Sequence, residues 1–254
     1  MVLEEFLEVN AFIFIVIFSR IGTVLIFIPG LGSPRFFGRI RLFLAFAISF
    51  ILTPIVFDVY PKMPTNVAEL IVIISGEILV GGFLGLVIRS MFYATQTAGT
   101  VIAFISGMAN TMVYDPVVEQ QSAIVAGFMG VVATLLLFVT NIHHLLIESM
   151  VASYKLFEPG SSLNLGDMAY MLAREINDTF KLGVQLSAPF LVVSLAYYVG
   201  LGVLTRLSPQ IPIFFVAMPL QIVISIIVLS LSIGGMMTVY LRHVQERLLP
   251  FVGV

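Results

Sequence analysis

Apolar runs long enough to cross a bilayer recur along this chain, with little polar sequence between them. Val9–Ile28, Leu42–Phe57, Val67–Ile88, Met91–Met108, Ala123–Ile142, Leu182–Thr205 and Ile211–Leu241 are the candidates, Leu42–Phe57 being short for a crossing. A spanning helix takes about 20 mostly apolar residues. At that depth every backbone polar group needs an internal partner, so such runs read as helices. Composition removes the alternative of a water-facing domain. Only 10% of the 254 residues are charged and 59% are hydrophobic, whereas a soluble domain carries about 25% charged residues. The mean hydropathy is +1.11. The expected fold is all-α: a polytopic membrane protein of long, Pro- and Gly-broken apolar helices that form hairpins.

What the chain lacks narrows the function classes. A net charge of -2 offers no basic surface for nucleic acid. With no cysteine there is no disulfide framework, thiolate nucleophile or cysteine metal site. Glu4, Glu5 and Glu8 stand where a secretory signal carries positive charge, so no cleavable signal is expected. The sequence has no HExxH, G-x-S-x-G or phosphate-cradling glycine loop. An intramembrane enzyme is therefore poorly supported, and no cofactor is expected.

Punctuation between the runs is clear. Pro29–Arg41 combines turn residues with Arg35, Arg39 and Arg41, and Asp58–Asn66 holds two prolines. Tyr154–Asp167 is a polar turn region with Asp167 as the expected N-cap of the next helix. That helix reads as amphipathic, with Met168, Met171, Leu172, Ile176 and Phe180 on one face and Arg174, Glu175, Asp178 and Lys181 on another. Pro212 and Pro219 predict a bent or frayed start to the last run. Basic residues in short loops mark the cytoplasmic side. The 35–41 loop and the Arg242–Leu248 tail are assigned there, and the acidic N-terminus and Asp115/Glu119 to the far side.

Charges inside apolar runs are expensive and point to function by default. Arg20, Arg89 and Lys181 lie near run ends, where long side chains reach the interface. Glu77 lies mid-run and is expected to face a partner or a water-filled space. His143, His144 and Glu148 form "HHLLIE", read as interfacial residues at a segment end because a metal site needs a further ligand. Small residues recur every fourth position at Gly81 and Gly85, then at Ser122, Ala126 and Gly130. They mark close helix contacts, within the chain or against other subunits. Broken helices and Glu77 also fit a small secondary transporter or channel, although no internal repeat is detectable.

Two breaks stand out. The stretch "SGMANTMVYDPVVEQQSA" (Ser106–Ala123) mixes methionines with Asn110 and an Asp-Pro pair. Near the C-terminus, "RLSPQIPIFFVAMPLQI" (Arg206–Ile222) is an Arg-Pro-Gln break that opens a second Pro-containing apolar helix. Pro209, Pro212 and Pro219 free backbone groups there, and Arg206 and Gln210 are placed to satisfy some of them and hold the hairpin turn. These two stretches, with "FSRIGTVLIFIPGLG" and "RIRLFLAFAIS" (Phe18–Ser49), resemble the FliR family of the flagellar type III export gate and its counterparts in virulence injectisomes. "FFVAMP" is closer to the flagellar branch.

The resemblance implies a non-enzymatic subunit of the bacterial inner membrane, in the flagellar basal body. It would assemble with FliP- and FliQ-like subunits into a hetero-oligomeric helical gate. FlhB and FlhA attach, and unfolded flagellar subunits pass through. It divides the chain into a FliP-like part, residues 1–185, and a FliQ-like hairpin, residues 186–254. It also makes residues 107–121 a plug that closes the pore. Met108, Met112, Val113 and Tyr114 would seal it, while Gly107, Asn110, Asp115 and Pro116 supply non-helical backbone and Asn110, Gln120 and Gln121 bond the wall.

Overall fold

A computed structural model describes residues 3–28, 37–60, 64, 66–109, 112–114, 121–208, 210 and 213–252. Among the described residues seven α-helices dominate: α1 (Leu3–Phe27), α2 (Gly38–Val56), α3 (Val67–Ile105), α4 (Ile124–Val139), α5 (Ile142–Leu156), α6 (Leu165–Leu207) and α7 (Ile213–Val252). A 3₁₀ turn, Phe57–Val59, follows α2. The remaining regular structure is a small antiparallel ribbon, β1 (Met112–Tyr114) and β2 (Gln121–Ala123), in the register Met112↔Ala123, Val113↔Ser122, Tyr114↔Gln121.

The helices are longer than the hydropathy runs. Val67–Ile88 and Met91–Met108 fuse into α3, of 39 residues. Arg89 interrupts the apolar run but not the helix, because arginine is a good helix former. Removing that break removes one crossing, so the far-side assignment of Asp115 and Glu119 no longer follows from simple alternation. The amphipathic segment and Leu182–Thr205 likewise fuse into α6, of 43 residues, which contains Pro189. Leu186, the expected junction, lies within it. α7 has 40 residues, runs on through Pro219 and takes in the basic tail. α2 begins at Gly38, so Arg39 and Arg41 belong to its first turns rather than to a loop. At 1.5 Å per residue, α3, α6 and α7 are each roughly 60 Å long, about twice the hydrocarbon thickness.

Among the described residues five helices are long and apolar enough to cross a membrane: α1, α2, α3, α6 and α7. α4 and α5 are bent by 77° at a short break and add a sixth span only if they cross as one. The break is at Asn141, which takes a left-handed conformation at φ 60. Asparagine tolerates this better than most residues.

The helix starting at residue 165 corrects two expectations. Its cap is Asn164, whose Oδ1 accepts from the backbone N–H of Gly166 (3.2 Å) and Asp167 (3.3 Å). Asp167 instead accepts from Asn164 Nδ2 at 2.7 Å, as a first-turn acid should. The buried face is also rotated from the one expected. Met168, Glu175, Thr179, Leu182 and Leu186 are buried, while Met171, Ile176 and Phe180 are exposed. Glu175 can face inward because Arg247 of α7 lies 3.6 Å from it.

Two compact units divide the chain. One comprises Met1–Met91, Phe138–Ile176 and Gln245–Val254, the other Phe92–Leu137 and Asn177–Val244. In the first, α1 buries Phe12, Ile13, Val16, Ile17, Ile21 and Val24 on one face. Its Phe14 meets Phe46 of α2 edge-on at 4.9 Å. In the second, α3 approaches α4 and α6 at glycines. A Cβ on Gly99 would stand 2.3 Å from Ala126 Cα, and one on Gly183 would stand 2.7 Å from Thr97 Cβ. The small residues Gly99, Ala126 and Gly183 thus serve packing within this chain.

Candidate functional site

The polar centre of the first unit is Glu77, and its partner is Arg20. α1 and α3 touch at Gly81, one turn beyond Glu77, where a Cβ would stand 2.5 Å from the carbonyl oxygen of Arg20. A Cβ on Gly85 would meet Phe27 at 2.7 Å. That close approach brings the guanidinium onto the carboxylate. Arg20 Nε donates to Glu77 Oε2 at 2.6 Å and Nη2 donates to Oε1 at 2.9 Å. Both side chains are almost wholly buried, 1% and 2% exposed. The sequence expectation that Arg20 extends to the interface is therefore overturned. In an apolar interior a carboxylate in direct contact on the neighbouring helix is a better partner than a distant surface.

α5 completes the cluster. Arg20 Nη1 donates to Ser153 Oγ at 3.3 Å and Nη2 to the carbonyl of Phe157 at 2.9 Å. Ser153 in turn donates to the Met150 carbonyl at 2.6 Å. The Tyr154 ring lies under the guanidinium, 4.1 Å from its centroid to Cζ, a cation–π contact. Tyr60 stacks obliquely on Tyr154 at 6.0 Å. Burial pushes the Tyr60 hydroxyl well above its ordinary range, so it stays protonated at physiological pH. Arg20 and Glu77 also form part of the wall of a cavity of about 280 Å³, with Glu158 and Ser161. The bidentate geometry pairs the two charges, and the added acceptors take the remaining guanidinium donors. The arrangement fastens α1, α3 and α5 together. Nothing in the residues of Ser153, Tyr154 or Phe157 announces this role in sequence; the readable signal was Glu77, stranded mid-run, whereas Arg20 read as a residue near a run end.

The second feature is the end of α3. Gly107 takes φ +75. Its N–H donates to the Phe104 carbonyl at 3.4 Å, and the Met108 N–H donates to the Ala103 carbonyl at 2.9 Å. This is the Schellman pattern, which glycine permits because it has no Cβ. Helix thus ends where the sequence placed the non-helical stretch. The carbonyl of Ile105, in the last turn, accepts from Gln221 Nε2 of α7. The same nitrogen donates to Tyr198 Oη of α6 at 2.9 Å. Gln221 is 8% exposed. Nearby, the Tyr197 hydroxyl donates to the Ala217 carbonyl.

Of the residues singled out from the sequence, Gly107 is exposed and Met108 half-buried. Met112, Val113 and Tyr114 form β1, described for their backbone only. Asn110, Asp115, Pro116, Gln120 and Pro209 lie outside the described residues. Arg206 is exposed in the last turn of α6, Gln210 is exposed beyond it, and Pro219 is exposed on α7. His143 packs against Phe138 at 5.2 Å and His144 at 4.2 Å, ring to ring. Among the described residues no group of three or more His, Asp or Glu side chains could hold a metal. Lys181 is exposed, 3.4 Å from Asp178.

Long apolar helices fastened by a buried ion pair define a multi-pass helical membrane protein. The family described as bacterial export proteins, family 1, matches residues 11–247, and the chain belongs to that family. It is 32% identical over 232 residues to the flagellar biosynthetic protein FliR of Caulobacter vibrioides, covering 91% of this chain and 92% of that protein. It is 31% identical over 253 residues to the Bacillus subtilis protein of the same name, covering 95% and 96%. The secretion system apparatus protein SsaT of Salmonella typhimurium is 21% identical over 162 residues, covering 63% and 62%.

Proposed function

We propose that this chain is a non-enzymatic core subunit of the flagellar type III protein export gate in the bacterial inner membrane. It forms, with FliP- and FliQ-like proteins, the closed channel through which unfolded flagellar subunits leave, and FlhB- and FlhA-like proteins attach to it. The observation that carries this reading is the near full-length similarity to flagellar biosynthetic FliR proteins. The injectisome reading rests on a lower identity over a shorter stretch.

Physical features agree with a chain built for assembly. α6 and α7 leave whole apolar faces uncovered. Val192, Leu195 and Val199 line one face of α6, and Val223, Ile227 and Leu231 one face of α7, all exposed. Helices of about 60 Å outreach a 30 Å hydrocarbon layer, so part of each lies where other subunits rather than lipid would cover it. The division at residues 185 and 186 into FliP-like and FliQ-like parts belongs to this reading.

In the same reading residues 107–121 are the plug. The Gly107 stop frees the chain from helix, and a short ribbon then returns it to α4. Deleting 109–121 leaves an assembled complex that conducts small ions and slows growth. Unchanged membrane conductance with assembly confirmed rejects the plug. Co-purification with FliP- and FliQ-like partners tests the subunit assignment itself. A chain that purifies alone as a stable symmetric homo-oligomer is a transporter or channel instead.

A further inference from the structure

We propose that Gln221 is a positioning residue that clasps the exit of α3 and so fixes where the chain leaves for the 107–121 loop. This rests on the plug reading for its functional meaning, but not for its geometry.

The last four carbonyls of a helix have no partner within the helix. At the end of α3 the Schellman bonds satisfy Ala103 and Phe104. The carbonyl of Ile105 is left to an outside donor, and Gln221 Nε2 supplies it from α7, 116 residues away in sequence. A buried amide has two N–H donors on that nitrogen. Ile105 takes one and Tyr198 Oη the other. The amide is thereby held from both sides, by α3 and by α6. The Gln221 Oε1 lies 4.0 Å from the Cβ position of Gly107, so the side chain stands against the turn itself. Tyr197 ties the backbone of α7 at Ala217, one turn before Gln221. Three helices therefore converge on the residue where helix gives way to loop. Losing the amide donor leaves a buried carbonyl unpaired, which favours opening of the last turn.

The absence of cysteine makes the test direct. Ala109→Cys is placed just past the turn, and Ser162→Cys, exposed in the stretch before α6, serves as the reference position. Each is labelled with a soluble maleimide in the assembled, purified complex. Gln221→Met keeps length and volume but removes the donor, and accelerates labelling at Ala109→Cys by about 3- to 10-fold, the population change that one net hydrogen bond allows. Tyr198→Phe removes one anchor of the amide and gives a smaller acceleration. Labelling at Ser162→Cys is unchanged in both. An unchanged rate at Ala109→Cys, or an equal rise at Ser162→Cys, overturns the proposal. The plug is judged separately by the conductance of the 109–121 deletion. A silent deletion with accelerated labelling sinks the plug and leaves the clasp standing; a leaking deletion with unchanged labelling does the reverse.

Discussion

The buried cluster around Arg20 and the C-terminal helices α6 and α7 treat surface in opposite ways. Around Arg20 both charges and the carbonyl of Phe157 find partners inside the chain. The most apolar window of α1 is 44% buried. The corresponding window of α6 is 6% buried and that of α7 is 17%. One region is complete by itself, and the other is half of something. Removing a partner from the first leaves an uncompensated charge in an apolar interior, whereas trimming the second removes contacts that only another molecule would make. Stability should therefore reside in the first region and assembly in the second.

The contrast can be broken most sharply at Arg20. Arg20→Leu strands Glu77 and should cost about 3–5 kcal/mol, seen as a collapse in yield of monodisperse protein. Replacing both partners, Arg20→Met with Glu77→Leu, should restore most of that yield, because an apolar pair of similar volume is often neutral. If the double replacement is as poor as the single one, the pair does more than fasten helices. Gly81→Val is the next effect in size. Its Cβ meets backbone, which moves less readily than a side chain, and overpacking costs about 1–3 kcal/mol. A lowered thermal midpoint of the purified complex would show it, and an unchanged midpoint would mean that α1 and α3 are free to separate. The smallest stability effect is expected on the open face. Leu231→Ala should change the stability of the isolated chain by under about 0.5 kcal/mol, yet reduce the fraction recovered with partner subunits. Equal recovery would assign that face to lipid.

Much of the architecture was legible because hydropathy runs and glycine stops are local signals. Gly107 announced the end of α3 by its conformational freedom, and the apolar runs marked where helices lie. Helix lengths were not legible. Arg89 and the polar face near Asp178 interrupt hydropathy without interrupting backbone hydrogen bonding, so α3 and α6 continue through them. The site was half readable. Glu77 demanded a partner, but its pairing with Arg20 spans 57 residues and depends on a glycine contact between two helices. The inward turn of Glu175 was hidden for the same reason, since its partner Arg247 belongs to another helix. Gln221 carried no sequence signal, because a glutamine in an apolar helix looks the same whether it clasps a carbonyl or faces another subunit.

The sharp turn at Asn141 has a consequence for parity. α4 and α5 have 16 and 15 residues, so neither reaches across a 30 Å layer by itself. A dip that re-emerges on the side it entered leaves five crossings, an odd number, and puts the start of α1 and the end of α7 in opposite compartments. An odd count is the one that keeps the acidic beginning of the chain outside while its basic tail stays with the positive-inside face. If α4 and α5 dip in this way, the left-handed Asn141 decides the side from which α6 starts.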